Sequence, residues 1–173
     1  MRNTALKRIA VRAAAGTRTR GWLTAGPLAI PVALGRGGIL ANKREGDGAT
    51  PRGRFRLVRL WWRPDRGSRP RTFLPTRPID RDDAWCEDPA DRRYNRPIKA
   101  SSGDHLWRDD PLYDLMIEID HNSRPRISGR GSAVFIHVAR PGFAPTAGCV
   151  ALKRNSLRRL LAGLGPRTTI EIR

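Results

Sequence analysis

Hydrophobic and polar residues trade places with a period of two along several short stretches of this chain, and a helical period shows at one place near its end. Leu6 to Ala13 reads as a strand with Ile9 and Val11 on one face. Gly21 to Gly35 reads as a hairpin: Trp22-Leu23-Thr24, a turn at Ala25-Gly26-Pro27, then Leu28 to Leu34, with Pro31 placing the second strand at a sheet edge. Gly35 to Gly53, rich in glycine and charge, is expected as a surface loop closed by a Pro51-Arg52-Gly53 turn. Phe55 to Trp62 and Tyr113 to Asp120 are further strands. In Ser132 to Ala139, Val134, Ile136 and Val138 oppose Ala133, Phe135 and His137, so His137 shares the face of Phe135. Asn155 or Ser156 is expected to cap a short helix through Leu157, Leu160, Leu161 and Leu164, stopped by Gly165-Pro166, and Thr168 to Arg173 forms a last strand.

Between the strands, residues 63–111 hold half of the prolines and no sustained periodicity. Such a stretch predicts a long structured excursion, the kind of segment that often binds. It carries an acidic run, Asp80, Asp82, Asp83, Glu87, Asp88 and Asp91, which also fits a plain solvated surface. The pattern as a whole predicts a mainly β fold with one short C-terminal helix and a long irregular excursion. A length of 173 residues suits a single domain spanning 1–173.

Charge changes the picture of possible partners. The 34 Lys and Arg against 16 Asp and Glu give a net charge of +18, and 30 of the bases are Arg. Nucleic acid is therefore the first partner to weigh. The charge is uneven, however: residues 1–78 hold 18 bases and 3 acids, residues 79–173 hold 16 and 13. No stretch approaches the roughly 18 apolar residues of a membrane span, and no transmembrane segment is expected. The basic start of the chain resembles a signal peptide, but Lys7, Arg8 and Arg12 break its apolar run, so no classical export signal is visible.

Two cysteines, Cys86 and Cys149, make no disulfide framework. His105, His121 and His137 stand 16 residues apart with no paired ligand spacing, so no metal and no cofactor are expected. Cys86, beside Trp85, is expected to be a packed, inert thiol.

The most informative stretch is FIHVARPGFAPTAGCVAL, residues 135–152. A histidine on a strand precedes, by twelve residues, a cysteine that follows a glycine, and the intervening loop can fold back. A free thiol of pKa about 8.5 is a few per cent thiolate at neutral pH, so a nucleophilic cysteine needs a neighbouring imidazole. Gly148 frees the backbone to turn its N–H, with that of Cys149, toward an oxyanion, and Thr146 offers a hydroxyl nearby. Spacing alone leaves two readings open, an inert buried thiol and a nucleophile.

His137, Thr146, Gly148, Cys149 and Val150 resemble the signature of the YkuD-type L,D-transpeptidases, a strand-borne His followed by Ser/Thr-x-Gly-Cys and an apolar residue. Upstream, GDGATPRGRF at Gly46–Phe55 resembles the family's Thr-Pro-x-Gly-x-Phe element. The resemblance covers most of the chain. It departs in its short His-to-Cys interval, in Ala147 where His is frequent, and in Ala151 where Arg is frequent. It is similar to a short proteobacterial branch reading Thr-x-Gly-Cys-Val-Ala-Leu.

The resemblance implies a β-sandwich catalytic domain acting on peptidoglycan stem peptides, as donor and acceptor, in the periplasm or cell envelope. Cys149 would form an acyl-enzyme at an L,D peptide bond and His137 would act as base and then acid. The Val138 carbonyl would fix the imidazole, and Gly148 and Cys149 N–H groups would form the oxyanion hole. Transfer to an amine would give a crosslink between two diaminopimelates or between L-Ala and diaminopimelate. Candidates for binding stem carboxylates are Arg140, in the loop between His137 and Cys149, and Tyr94, Asn95, Arg96, Trp107 and His121.

Two alternatives accompany this reading. With water as acceptor, the same acyl-enzyme makes an L,D-carboxypeptidase or endopeptidase. A basic nucleic-acid-binding module would use the Arg-rich 52–71 stretch with Phe55, Trp61 and Trp62 interleaved, but it leaves His137 and Cys149 unexplained, and nucleic acid is not expected as the partner. The basic half is better read as a surface that attracts an anionic wall.

Overall fold

The computed structural model describes residues 5–173, so the first four residues of the basic start lie outside the described residues. The strands are β1 (Arg8–Ala13), β2 (Arg20–Ala25), β3 (Leu28–Ala33), β4 (Ile39–Leu40), β5 (Thr50–Pro51), β6 (Gly53–Trp62) and β7 (Thr76–Pro78). They continue with β8 (Asp83–Trp85), β9 (Pro97–Lys99), β10 (Asp104–His105), β11 (Leu115–Ile119), β12 (Phe135–Val138), β13 (Val150–Leu152) and β14 (Thr169–Ile172). The one α-helix is α1 (Arg154–Leu161). The fold is mainly β.

Nine strands form one sheet in the order β11-β12-β13-β3-β2-β1-β14-β6-β7. Its ends meet in β6, which pairs with β14 through Gly53–Arg56 and with β11 through Leu57–Trp62. The sandwich expected from the resemblance is thus wrapped shut, leaving few free edges. Pro31 shows how an edge residue fits inside this order. β3 pairs with β2 along its length but meets β13 at Ala33 opposite Ala151 alone, so the remainder of that edge is open.

Alternation sorts the side chains into two cores. Ile9, Val11, Leu23, Leu57, Leu60, Ile117, Ile136, Leu152 and Ile170 fill the inside of the wrapped sheet, closed by Leu157, Leu160 and Leu161 of α1. The opposite face of β6, β11 and β12 carries Trp61, Met116 and Phe135, which form a second cluster with Trp85, Leu106, Tyr113 and Cys149. The excursion roofs this cluster with a small sheet ordered β10-β8-β9. Its base is pinned by buried Asp114, which receives Arg66 at 3.2 Å and Arg154 of α1. Asp110 pairs with Arg108 at 2.8 Å. Neither aspartate forms a hydrogen bond with His121, whose ring nitrogen meets the Arg130 carbonyl.

Local details differ from the sequence pattern where tertiary packing overrides it. The helix begins at Arg154, before Asn155 and Ser156; Lys153 is its N-cap, without a side-chain cap. It ends at Leu161, and Leu164 packs into the core from the turn beyond. Gly35 to Gly53 is no solvated loop, since Lys43, Ala49 and Thr50 are buried and β4 pairs with β5. The Phe55, Trp61 and Trp62 set does not interleave with arginines on a surface: Trp61 is fully buried, and Phe55 and Trp62 pack against the main core.

Candidate active site

β12 sets His137 on the face of Phe135, away from Ile136 and Val138, as the alternation predicts. β13 runs parallel to β12 with Ile136 opposite Val150, so Cys149, one residue before β13, arrives beside Phe135. The connecting loop turns at Pro141–Phe143, where Gly142 has φ 68°. Thr146 then stitches the loop to the end of β3: its N–H donates to the Leu34 carbonyl at 2.9 Å, and its carbonyl accepts from the Arg36 N–H at 2.9 Å.

Gly148 explains why the two sequence elements occur together. Its φ of +143° disfavours any side chain, and a Cβ there would lie 2.8 Å from the Ala49 carbonyl oxygen. Ala49 belongs to the Gly46–Phe55 element, whose buried Thr50 accepts the Gly35 N–H at 2.8 Å. The upstream element is the wall against which the cysteine loop is folded.

Around the sulfur, Cys149 Sγ donates to the Ala133 carbonyl at 3.3 Å and accepts from the Phe135 N–H at 3.3 Å. His137 Nδ1 meets the Val138 carbonyl at 2.9 Å, which makes Nδ1 the protonated nitrogen and leaves Nε2 as the basic one. The Tyr113 ring stands edge-on to the imidazole with centroids 5.4 Å apart. Burial pushes the His137 pKa down to about 4, with the Val138 carbonyl opposing and Arg108 and Arg140 adding to the shift. Burial likewise pushes the Cys149 thiol up to about 12, against the Phe135 N–H. The resting pair is therefore a neutral thiol and a neutral imidazole.

Both side chains line one cavity of about 360 Å³. Arg36, Lys43 and Arg140 approach it from the loops on the cysteine side, Glu87, Asp104 and Arg108 from the excursion. Buried Lys43 is paired with Asp47. Glu45 is held by Tyr94 Oη and by Ser132 Oγ, the latter at 2.8 Å. Asp104 accepts the Tyr113 hydroxyl at 2.6 Å. Glu87 is an exposed residue of the cavity lining, and its pKa is pushed up to about 7 by partial burial first, then by Asp104 and Glu45.

The residues singled out in the sequence fall into different places. Arg140 lines the cavity with Cys149, His137, Thr146 and Gly148. The Thr146 hydroxyl donates to the Cys149 carbonyl at 2.7 Å and accepts the Gly148 N–H at 3.1 Å, so it closes the turn and occupies one of the two N–H groups assigned to an oxyanion. Asn95 is buried behind the sulfur: Oδ1 accepts from Trp85 Nε1 at 2.9 Å and from the Ala133 N–H at 3.2 Å, and Nδ2 donates to the His121 and Asn122 carbonyls. Tyr94 is buried, its hydroxyl accepting the Gly131 N–H at 3.0 Å. Arg96 is exposed away from the cavity. Trp107 is stacked under Arg63, 3.8 Å from its ring centroid, and His121 stands edge-on to Phe55.

Lys43, Glu45, Glu87, Asp104 and Tyr113 were not signalled as site residues. Lys43 and Glu45 flank the Thr-Pro element and Glu87 belongs to the acidic run, but only tertiary folding assembles them. Cys86 is a buried free thiol. The carboxylates of Asp80, Asp82 and Asp83 converge, and Lys99 Nζ reaches all three, at 2.9, 2.7 and 3.0 Å. Among the described residues no helix is long and apolar enough to cross a membrane.

A family profile described as YkuD, L,D-transpeptidase catalytic domain, matches residues 7–172. Among solved structures, the chain is similar to the crystal structure of Mycobacterium tuberculosis L,D-transpeptidase 1, with 13% identity and a TM-score of 0.42. That similarity covers 95% of this chain and 61% of the mycobacterial one, so the chain spans about three-fifths of that protein's length. No curated protein matches the sequence.

Proposed function

The chain belongs to the family of L,D-transpeptidase catalytic domains, and on that premise we propose that it is a cysteine-dependent peptidoglycan L,D-transpeptidase with Cys149 as nucleophile and His137 as its base. One observation carries the assignment. Cys149 and His137 line the same cavity, and the bond from His137 Nδ1 to the Val138 carbonyl leaves Nε2 free to take a proton.

Because both groups rest neutral, the proton moves during attack. Substrate entry displaces the Sγ hydrogen from the Ala133 carbonyl, Nε2 accepts it, and the sulfur adds to the carbonyl carbon of the L,D bond. The oxyanion is stabilised by the Cys149 N–H, since the Gly148 N–H is engaged by Thr146. Collapse breaks the C–N bond; the imidazolium returns its proton to the departing amine, leaving a thioester. An acceptor amine then adds to the thioester, gives a proton to Nε2, and expels the thiol with a new amide bond. Arg36 and Arg140 at the cavity supply planar forks for stem carboxylates. The cell envelope is where such a substrate is found.

Purified protein incubated with defined diaminopimelate stem peptides and with sacculi tests this by mass spectrometry. Wild-type protein should yield crosslinked dimers and a Cys149 thioester adduct, and Cys149→Ala neither. Release of the D-residue or dimer formation by Cys149→Ala sinks the mechanism, and trimmed monomers without dimers replace transfer by hydrolysis.

A further inference from the structure

Several exposed basic residues share one face of the wrapped sheet across β1, β14 and β6. In register across it, Trp22 of β2 lies between Pro31 of β3 and Arg12 of β1, and Arg173 follows β14 beside Val11. Trp22 is 48% exposed, an unusual state for the largest apolar side chain. With Arg12, Thr24, Arg173 and the small residues Ala13–Ala15 it lines a shallow groove of about 470 Å³. The neighbouring rows add Arg8, Arg54 and Arg56, all exposed; Glu171 pairs with Arg8 at 3.6 Å and with Arg173 at 3.8 Å, and Asp120 pairs with Arg56 at 3.1 Å.

We propose that this face docks the anionic glycan strand of peptidoglycan, with Trp22 as the platform for a sugar ring and the flanking arginines holding the carboxylates of its stems. The indole face is electronegative and meets the weakly positive C–H face of a sugar. Guanidinium groups grip carboxylates through paired hydrogen bonds. One aromatic on a flat, small-residue surface suits a single ring, whereas single-stranded nucleic acid needs a series of aromatics for successive bases. The face also leads to the cavity: Arg20, at the start of β2, donates to the Gly142 carbonyl at 2.9 Å, and Gly142 lies in the loop joining His137 to Cys149. The choice of polymer rests on the proposed function.

Co-sedimentation with insoluble sacculi tests the docking face, and turnover of a short soluble stem peptide tests the site separately. Trp22→Ala should lower sacculus affinity by about tenfold, and Trp22→Phe should retain most of it. Arg12→Ala with Arg173→Ala should weaken binding and flatten its salt dependence. All should turn over the soluble peptide as wild type does, while Cys149→Ala should sediment normally. Undiminished sedimentation of Trp22→Ala overturns the proposal, as does duplex DNA displacing the protein more effectively than soluble glycan fragments. If wild-type protein binds sacculi through Trp22 yet leaves the soluble peptide intact, the docking face stands and the catalytic reading falls.

Discussion

The sulfur of Cys149 is held by the backbone of Ala133, to whose carbonyl it donates at 3.3 Å. Ala133 has φ 51°, a left-handed conformation costly for a residue with a Cβ. Its N–H is fixed by Asn95 Oδ1, and all four hydrogen-bonding positions of that amide are filled. Asn95 therefore positions the Cys149 sulfur from behind.

Replacing Asn95 exposes that dependence. Asn95→Ala leaves the buried Trp85 and Ala133 N–H groups and two carbonyls without partners, a loss of about 2–4 kcal/mol. Urea unfolding should register it. Ala133→Gly separates support from stability, because glycine accepts the backbone angle without strain and loosens the carbonyl from the sulfur. It should be at least as stable as wild type and show faster Cys149 alkylation by iodoacetamide. Unchanged alkylation in both variants would mean that the carbonyl does not restrain the thiol.

Gly148 and Gly142 separate two kinds of glycine requirement in one loop. Gly142→Ala meets open space, and its φ of +68° costs about 1 kcal/mol. At Gly148 an added Cβ would lie 2.8 Å from the Ala49 carbonyl oxygen, so Gly148→Ala should cost about 3 kcal/mol or more and displace Cys149. Thermal unfolding of the two variants side by side gives the order directly.

The β alternation and the placing of His137 were legible because a period of two puts each side chain on a definite face. His137 does share the face of Phe135. The Gly35–Gly53 segment was misread because its charge looked solvated; Lys43 is buried through pairing with Asp47, a contact composition does not reveal. Asn95 was read as a pocket residue because its chemistry suits one, and only the fold shows its amide consumed by the backbone behind the site. Glu87 stands in the acidic run and Asp104 further along the same excursion, and the return of that excursion over Phe135 is a long-range event with no local signature.

His137 should leave a mark on acid stability. Its pKa falls from an unfolded value near 6.5 to about 4, so the unfolded chain binds the proton more readily. The resulting stability is present above pH 6.5 and is lost as pH falls toward 4, about 3 kcal/mol for this one group. Carboxylates titrate in the same window, so the informative quantity is a difference. His137→Gln should lose less stability than wild type between pH 7 and pH 4.5 in parallel urea unfolding, and equal losses would show that the imidazole is not held neutral.

Glu87 offers a pH-dependent probe of the cavity. Held up to about 7, it is mostly protonated at pH 6 and mostly ionised at pH 8, and when ionised its charge helps to raise the Cys149 thiol. Glu87→Gln removes that charge at every pH, which lowers the thiol pKa relative to wild type only where Glu87 is ionised. Iodoacetamide labelling of Cys149 should accelerate about two- to fivefold at pH 8 and stay near wild type at pH 6. Asp104 and Glu45 face the same space, and neither is altered, so the difference between the two pH values isolates Glu87. A uniform acceleration at both would assign the effect to changed access to the sulfur, and none at pH 8 would show that Glu87 does not reach it electrostatically.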